Sequence, residues 1–170
     1  MMQPDCSGVL VVFDGEDHCP AELGVMVQEW AQSVAGNVPC RAVVAYREYE
    51  SWFLAAIESL RGKYGIPMDA AAPKDPESKR DAKGAIDQLM PTGASYSPTI
   101  HQAKFSAAID LSLAYKRSRS FRKLTKAVGE LLAQMQQPLP EWPPIDWQPE
   151  HEAQLNDTET KTRTDLDWQG

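Results

Sequence analysis

VLVVFDGEDHCP, residues 9 to 20, is the stretch that decides how the front of the chain folds. Five apolar residues in succession, three of them valine, lead to Asp14, and Glu16, Asp17, His18, Cys19 and Pro20 follow directly. A short run of this kind, with no polar alternation, is the pattern of a strand buried on both faces. Pro20 suits the first turn of a helix, where its missing N–H has no partner to lose. Leu23, Val27, Trp30 and Val34 then recur at helical spacing as far as Gly36 and Asn37. RAVVAY, residues 41 to 46, repeats the buried-strand pattern. Strand, helix, strand in this order predicts a right-handed parallel crossover.

From Glu48 the apolar period becomes helical, through Trp52, Ile57 and Leu60 towards Tyr64. GIPMDAAAPKDPESK is a loop, interrupted by Pro67, Pro73 and Pro76, with Asp75 or Ser78 placed to cap a short helix through Met90. PTGASYSP breaks the chain again, and further helices are expected over residues 99–115 and 119–135. After Gln136, prolines at 138, 140, 143, 144 and 149 and a polar end describe a segment that cannot build a core. Leu139, Trp142, Ile145 and Trp147 could still pin its first part into a surface groove. The expected architecture is α/β. A domain over residues 1–135 carries a small, mostly parallel sheet near the N-terminus and a helical C-terminal half, and residues 136–170 form an extended or disordered acidic tail.

The 170 residues suffice for one domain with a hydrophobic core. No apolar run approaches the roughly 20 residues of a membrane helix, and MMQPDCSG at the start lacks the features of a signal peptide. A soluble, cytoplasmic protein is the expectation. Cys6, Cys19 and Cys40 are odd in number and widely spaced, which indicates neither a disulfide framework nor a zinc ribbon. The net charge of −7 argues against indiscriminate nucleic-acid binding. The charge is unevenly spread, however: every charged residue from Lys116 to Lys126 is basic.

In open parallel sheets, ligands bind beyond the carboxyl ends of the strands. Asp14, Glu16 and Asp17 follow the first strand, and Glu48 and Glu50 follow the second. If the strands are neighbours the carboxylates crowd together, and such crowding requires a cation or protonation. Hard oxygen ligands suit Mg²⁺ or Mn²⁺, and with them phosphoryl transfer or phosphodiester hydrolysis. From the residues alone a structural role is the stronger reading: Asp17 as a helix cap, Asp14 and Glu16 as turn residues, Glu48 and Glu50 as the solvated first turn of a helix. In SRSFRKLTK, residues 118 to 126, Arg119, Arg122 and Lys123 fall within reach of one helical face. They suit phosphate oxygens, as does Lys83 nearby in sequence to Lys79 and Arg80, or they serve to neutralise the acidic front of the same domain.

Four blocks together carry a resemblance: FDGEDHCPAEL, AYREYESWFLAAIESL, PKDPESKRDAKG and YSPTIHQAKFSAAIDLSLAYKRSRSFRKL. In order and spacing, over most of residues 8–132, the chain resembles the uncharacterised bacterial family known as domain of unknown function 4276. That family looks like a divergent relative of Toprim domains, the metal-dependent fold of topoisomerases, primases and related nucleases. Its genes often lie beside one for an ABC-type or AAA-class ATPase, as in anti-phage defence pairs. The resemblance implies Asp14 and Glu16, with Asp17 adjacent, as the Mg²⁺-binding acids, and it places Lys83, Arg119 and Arg122 in blocks of unassigned role. It also implies that the strand and glutamate usually found before this point are missing, so that Glu48 or Glu50 would take the catalytic part. The expectations are thus a Toprim-like nuclease or nuclease subunit with Mg²⁺ or Mn²⁺, or instead a non-catalytic partner of the ATPase. An exposed sheet edge adds a homodimer to the expected partners.

Overall fold

A computed structural model of the chain describes residues 6–148. The expected front of the chain is present. Strand β1 (Val9–Asp14), helix α1 (Pro20–Ala35) and strand β2 (Cys40–Ala45) form one crossover, with β1 and β2 paired in parallel from Val9 opposite Cys40 to Asp14 opposite Ala45. This register brings the carboxyl ends of the strands level. The ladder continues one step into the turns, where Gly15 N donates to Ala45 O at 3.0 Å and Glu16 N to Arg47 O at 2.8 Å. Gly15 is buried because the turn closes directly on β2. A Cβ there would lie 2.7 Å from Val44 Cγ1 and 2.9 Å from the Ala45 carbonyl oxygen, closer than any side chain tolerates. Among the described residues the sheet has these two strands and no more.

β2 is the buried strand, with Cys40, Val43, Val44 and Ala45 inaccessible, and α1 and helix α6 (Arg119–Gln134) both pack on it. β1 is only half-buried. Proline opens α1 as the sequence suggested, but its N-cap is Cys19, which makes no side-chain capping bond. Of the apolar stripe of α1, Leu23 and Val27 are half-buried while Trp30 is 60% and Val34 79% exposed, and Val25 beside them is 60% exposed.

Helix α2 (Ser51–Ala55) is wholly buried and gives way to a 3₁₀ turn over Ile57–Leu60, a shorter element than the apolar period predicts. The chain then reverses through Gly62, Tyr64 and Gly65, all in the left-handed region. Asp75 caps a single 3₁₀ turn, Pro76–Ser78, rather than the following helix. That helix, α3 (Ala82–Asp87), is capped instead by Asp81, whose carboxylate accepts from Gly84 N at 2.7 Å. The single helix expected over 99–115 is three pieces: a wide turn at Pro98–Gln102, α4 (Ala103–Ser106) and α5 (Leu111–Arg117). Asp110 is the physical reason for the break. Its carboxylate accepts from Ser112 N and Leu113 N, which starts a new helix where the apolar period would have continued the old one.

Two apolar clusters share Tyr49 and Ile109 at their border. Phe53, Ile57, Leu60, Ile66, Ile86 and Phe105 fill the larger. Trp52 anchors the second, with its ring 5.4 Å from Phe121 and its Nε1 donating to Ser120 Oγ at 2.8 Å. Of the expected tail, residues 136–148 lie along the domain: Trp142 Nε1 donates to Thr125 O at 2.7 Å, and the Trp147 ring lies tilted at 5.9 Å from Tyr115. Residues 149–170 are outside the described residues. No helix among the described residues is long and apolar enough to cross a membrane.

Candidate functional site

The parallel register delivers Asp14 to the end of β1 beside the turn that follows β2. Arg47, in the left-handed region at φ 65°, swings that turn so that Glu48 and Glu50 point inwards. Asp14 Oδ1 accepts from Tyr49 N at 2.7 Å and so stitches the two strand ends together. Three carboxylates then surround one ammonium. Lys83 Nζ lies 3.3 Å from Asp14 Oδ2, 3.6 Å from Glu48 Oε2 and 3.6 Å from Glu50 Oε2.

Each member of this cage is held from behind. Glu48 is 6% exposed and its Oε2 also accepts from Lys83 N at 3.0 Å, so that it caps the first turn of α3 and fixes the residue whose side chain it faces. Glu50 is completely buried. Its Oε1 accepts from Tyr96 Oη at 3.0 Å and from Gln102 Nε2 at 3.4 Å, while its Oε2 faces the cage without a hydrogen-bond partner. A buried carboxylate oxygen left this way is costly unless a cation compensates it. Burial alone would lower the Lys83 pKa, but Glu50, Asp14 and Glu48 outweigh it and hold the ammonium above its ordinary range. The Tyr96 hydroxyl is pushed well above its usual value, first by burial and then by the charge of Glu50.

Asp14 and Gln102 also line an open cleft of about 470 Å³ with Val12, Phe13, Tyr49 and Ser106. The cage is therefore reachable from solvent on the Asp14 side, where that carboxylate is 29% and Lys83 39% exposed.

The other expected site residues lie elsewhere. Glu16 sits in the left-handed region at φ 48° with its side chain exposed, outside the cage. Asp17 pairs with Arg47 at 2.7 Å and Arg80 at 2.9 Å, and neither caps α1 nor joins Asp14. Lys83, expected on a phosphate-binding surface, stands among carboxylates. Arg122 donates to the carbonyls of Tyr115 and Lys116, where it closes the end of α5. Arg119 and Lys123 are exposed and line a second cavity of about 370 Å³ with Cys19, Tyr46 and Glu77, to which none of the three cage carboxylates contributes. Glu77 was not singled out in the sequence, yet its carboxylate accepts from Ser118 Oγ, Arg119 N and Ser120 N at 2.8 to 2.9 Å and caps α6. Tyr96 and Gln102 were equally unmarked, since one lies in a loop of breakers and the other in a distorted turn.

A family model described as Domain of unknown function (DUF4276) matches residues 3–129. The chain belongs to the DUF4276 family. Asp14, Glu48, Glu50, Lys83, Tyr96 and Gln102 all lie within the matched span. No curated protein and no solved structure matches this DUF4276 chain. As the side chains stand, no group of three or more His, Cys, Asp or Glu among the described residues is arranged to hold a metal ion. Lys83 occupies the point on which the three carboxylates converge. The cage is chemically of the hard-cation type, all oxygen with three carboxylates to one ammonium, and the buried Glu50 Oε2 has an ion pair but no hydrogen-bond partner.

Proposed function

We propose that Asp14, Glu48 and Glu50 form the divalent-cation site of a Toprim-like phosphodiester hydrolase, a nuclease or nuclease subunit acting beside an ATPase in anti-phage defence. The observation that carries this reading is Glu50 itself, a fully buried carboxylate whose Oε2, without a hydrogen-bond partner, faces the same Lys83 ammonium as Asp14 and Glu48. Mg²⁺ or Mn²⁺ bound there would supply positive charge to polarise a phosphate and to favour hydroxide from water at neutral pH. Asp14 and Glu48 would hold the ion, and Glu50, kept in orientation by Tyr96 and Gln102, would complete the ligand set or take the proton of the attacking water. Lys83 is within reach of the same point and would place its ammonium on a phosphate oxygen. Glu16 and Asp17 have no part in this arrangement, which departs from the Toprim pairing that the family resemblance implies. Arg119 and Lys123 remain candidates for a phosphate backbone crossing the second cavity.

Cleavage of single- and double-stranded DNA and RNA, with and without Mn²⁺ and with and without an ATPase from a neighbouring gene, tests the reading. The wild type should cut only with the divalent ion, Asp14→Asn and Glu48→Gln should abolish cutting, and Glu16→Ala should retain it. Metal-independent cutting, or full activity in Asp14→Asn, would sink the proposal.

A second reading, a non-catalytic partner of that ATPase, is favoured by the uncovered apolar face of α1, with Val25, Trp30 and Val34 in solvent. Co-purification that is lost in Trp30→Asp plus Val34→Asp, with defence intact in Asp14→Asn, would select it over the first.

A further inference from the structure

We infer that Lys83 is a tethered counter-ion that exchanges with the divalent cation: its ammonium keeps the cage closed until the ion enters, and is then turned out towards solvent. This rests on the proposed cation site and concerns how that site is controlled. Three observations point to it. The Nζ lies 3.3 to 3.6 Å from one oxygen of each carboxylate, so ammonium and metal ion compete for one position. The ammonium fills that position imperfectly, since its contacts with Glu48 and Glu50 are longer than a direct charge-assisted hydrogen bond and the Glu50 Oε2 is left unbonded. The side chain also has a way out. It is 39% exposed, at the start of α3, and the backbone of Lys83 is anchored independently through its N–H to Glu48.

The anchoring is what separates an exchangeable lysine from a structural one. The side chain can leave while α3 and the Glu48 carboxylate stay in place, because the bond that fixes them uses the backbone. Two further consequences follow. An empty cage would hold mutually repelling carboxylates, so the resident ammonium keeps the apo protein folded without a metal. Once displaced, the same ammonium stands at the mouth of the site, where an incoming phosphate would meet it. Occupation of the site by metal and readiness for an anionic ligand are then a single event.

Competition of this kind lowers the apparent affinity by the fraction of molecules in which the position is open. Calorimetric titration of MnCl₂ into the wild type and Lys83→Met should therefore give binding about tenfold or more tighter in the variant. A measurement on the unaltered chain accompanies it: acylation by a water-soluble amine reagent, read by mass spectrometry at Lys83 against Lys104. Mn²⁺ should raise labelling at Lys83 and leave Lys104 unchanged. Equal or weaker Mn²⁺ binding by Lys83→Met, or Lys83 labelling that is unchanged or reduced by Mn²⁺, overturns the exchange while leaving the cation site itself standing. Absence of Mn²⁺ binding by both proteins removes the exchange and the proposed site together.

Discussion

Tyr96→Phe is the most informative single perturbation of the cage, because it removes one atom. The ring of Tyr96 packs 5.6 Å from both His101 and Phe105, and phenylalanine preserves those contacts. What is lost is the hydroxyl that donates to Glu50 Oε1 at 3.0 Å. The acceptor is charged and fully buried, so no water replaces the donor, and bonds of this class contribute about 1.5 to 3 kcal/mol. Gln102 Nε2, at 3.4 Å from the same oxygen, retains a part. A loss of about 2 kcal/mol follows, equivalent to a fall in Tm of about 4 to 8 °C for a domain of this size. Urea unfolding followed by tryptophan fluorescence should show a lower midpoint at an unchanged slope, since the surface exposed on unfolding is the same. Combined with Glu50→Gln, the two changes should couple by about 1 kcal/mol or more, as partners in one bond do. A midpoint equal to that of the wild type, or strictly additive effects in the pair, would refute the claim that Tyr96 stabilises a buried Glu50 carboxylate.

Alkaline pH should weaken the fold through the same cluster. Lys83 and Tyr96 both have pKa values raised by folding, so their stabilisation is complete below the unfolded values of about 10 and is lost as pH rises through the folded ones. Stability measured between pH 8 and 11 should fall more shallowly in Tyr96→Phe than in the wild type. At the acid end, the Glu58 pKa is lowered: burial opposes this, but bonds from its own and the Ala72 N–H and from Arg117 prevail. Its contribution is present above about pH 4.3 and disappears as pH falls through the lowered value, so Glu58→Gln should flatten the acid limb of the stability curve. Glu77→Ala removes the acceptor of three donors at the start of α6 and should cost about 1.5 kcal/mol in chemical denaturation. Trp142→Ala breaks the bond to Thr125 O and uncovers Gly129, and should expose the chain after Gln136 to limited proteolysis at a Tm lower by several degrees.

The strand, helix, strand front was legible because each element announces itself locally, by valine runs, a proline at a helix start and a glycine after its end. The parallel crossover then follows from chirality, and with it the meeting of Asp14 with Glu48 and Glu50. Which acids of the first cluster take part was not legible. Glu16 follows Asp14 by two residues, and only the left-handed turn at φ 48° shows that it is carried outwards. In sequence Lys83 belongs to a basic surface, since Lys74, Lys79 and Lys83 look alike there. Its position inside the cage depends on Asp81 starting α3 and on Glu48 bonding the Lys83 N–H, both tertiary facts. Residues 99–115 are not one helix for a related reason: apolar periodicity reports which face is buried and is blind to a cap such as Asp110 within the period. Tyr96 and Gln102 carried no signal at all, because a single residue that braces a buried acid leaves no pattern.

Diffraction from crystals soaked in MnCl₂, with data collected to locate manganese by its anomalous signal, tests the central claim most directly. One strong peak enclosed by Asp14, Glu48 and Glu50 is expected, with the Lys83 side chain displaced towards solvent. A peak at Glu16 and Asp17, or Lys83 still seated among the three carboxylates with no manganese beside it, would contradict it.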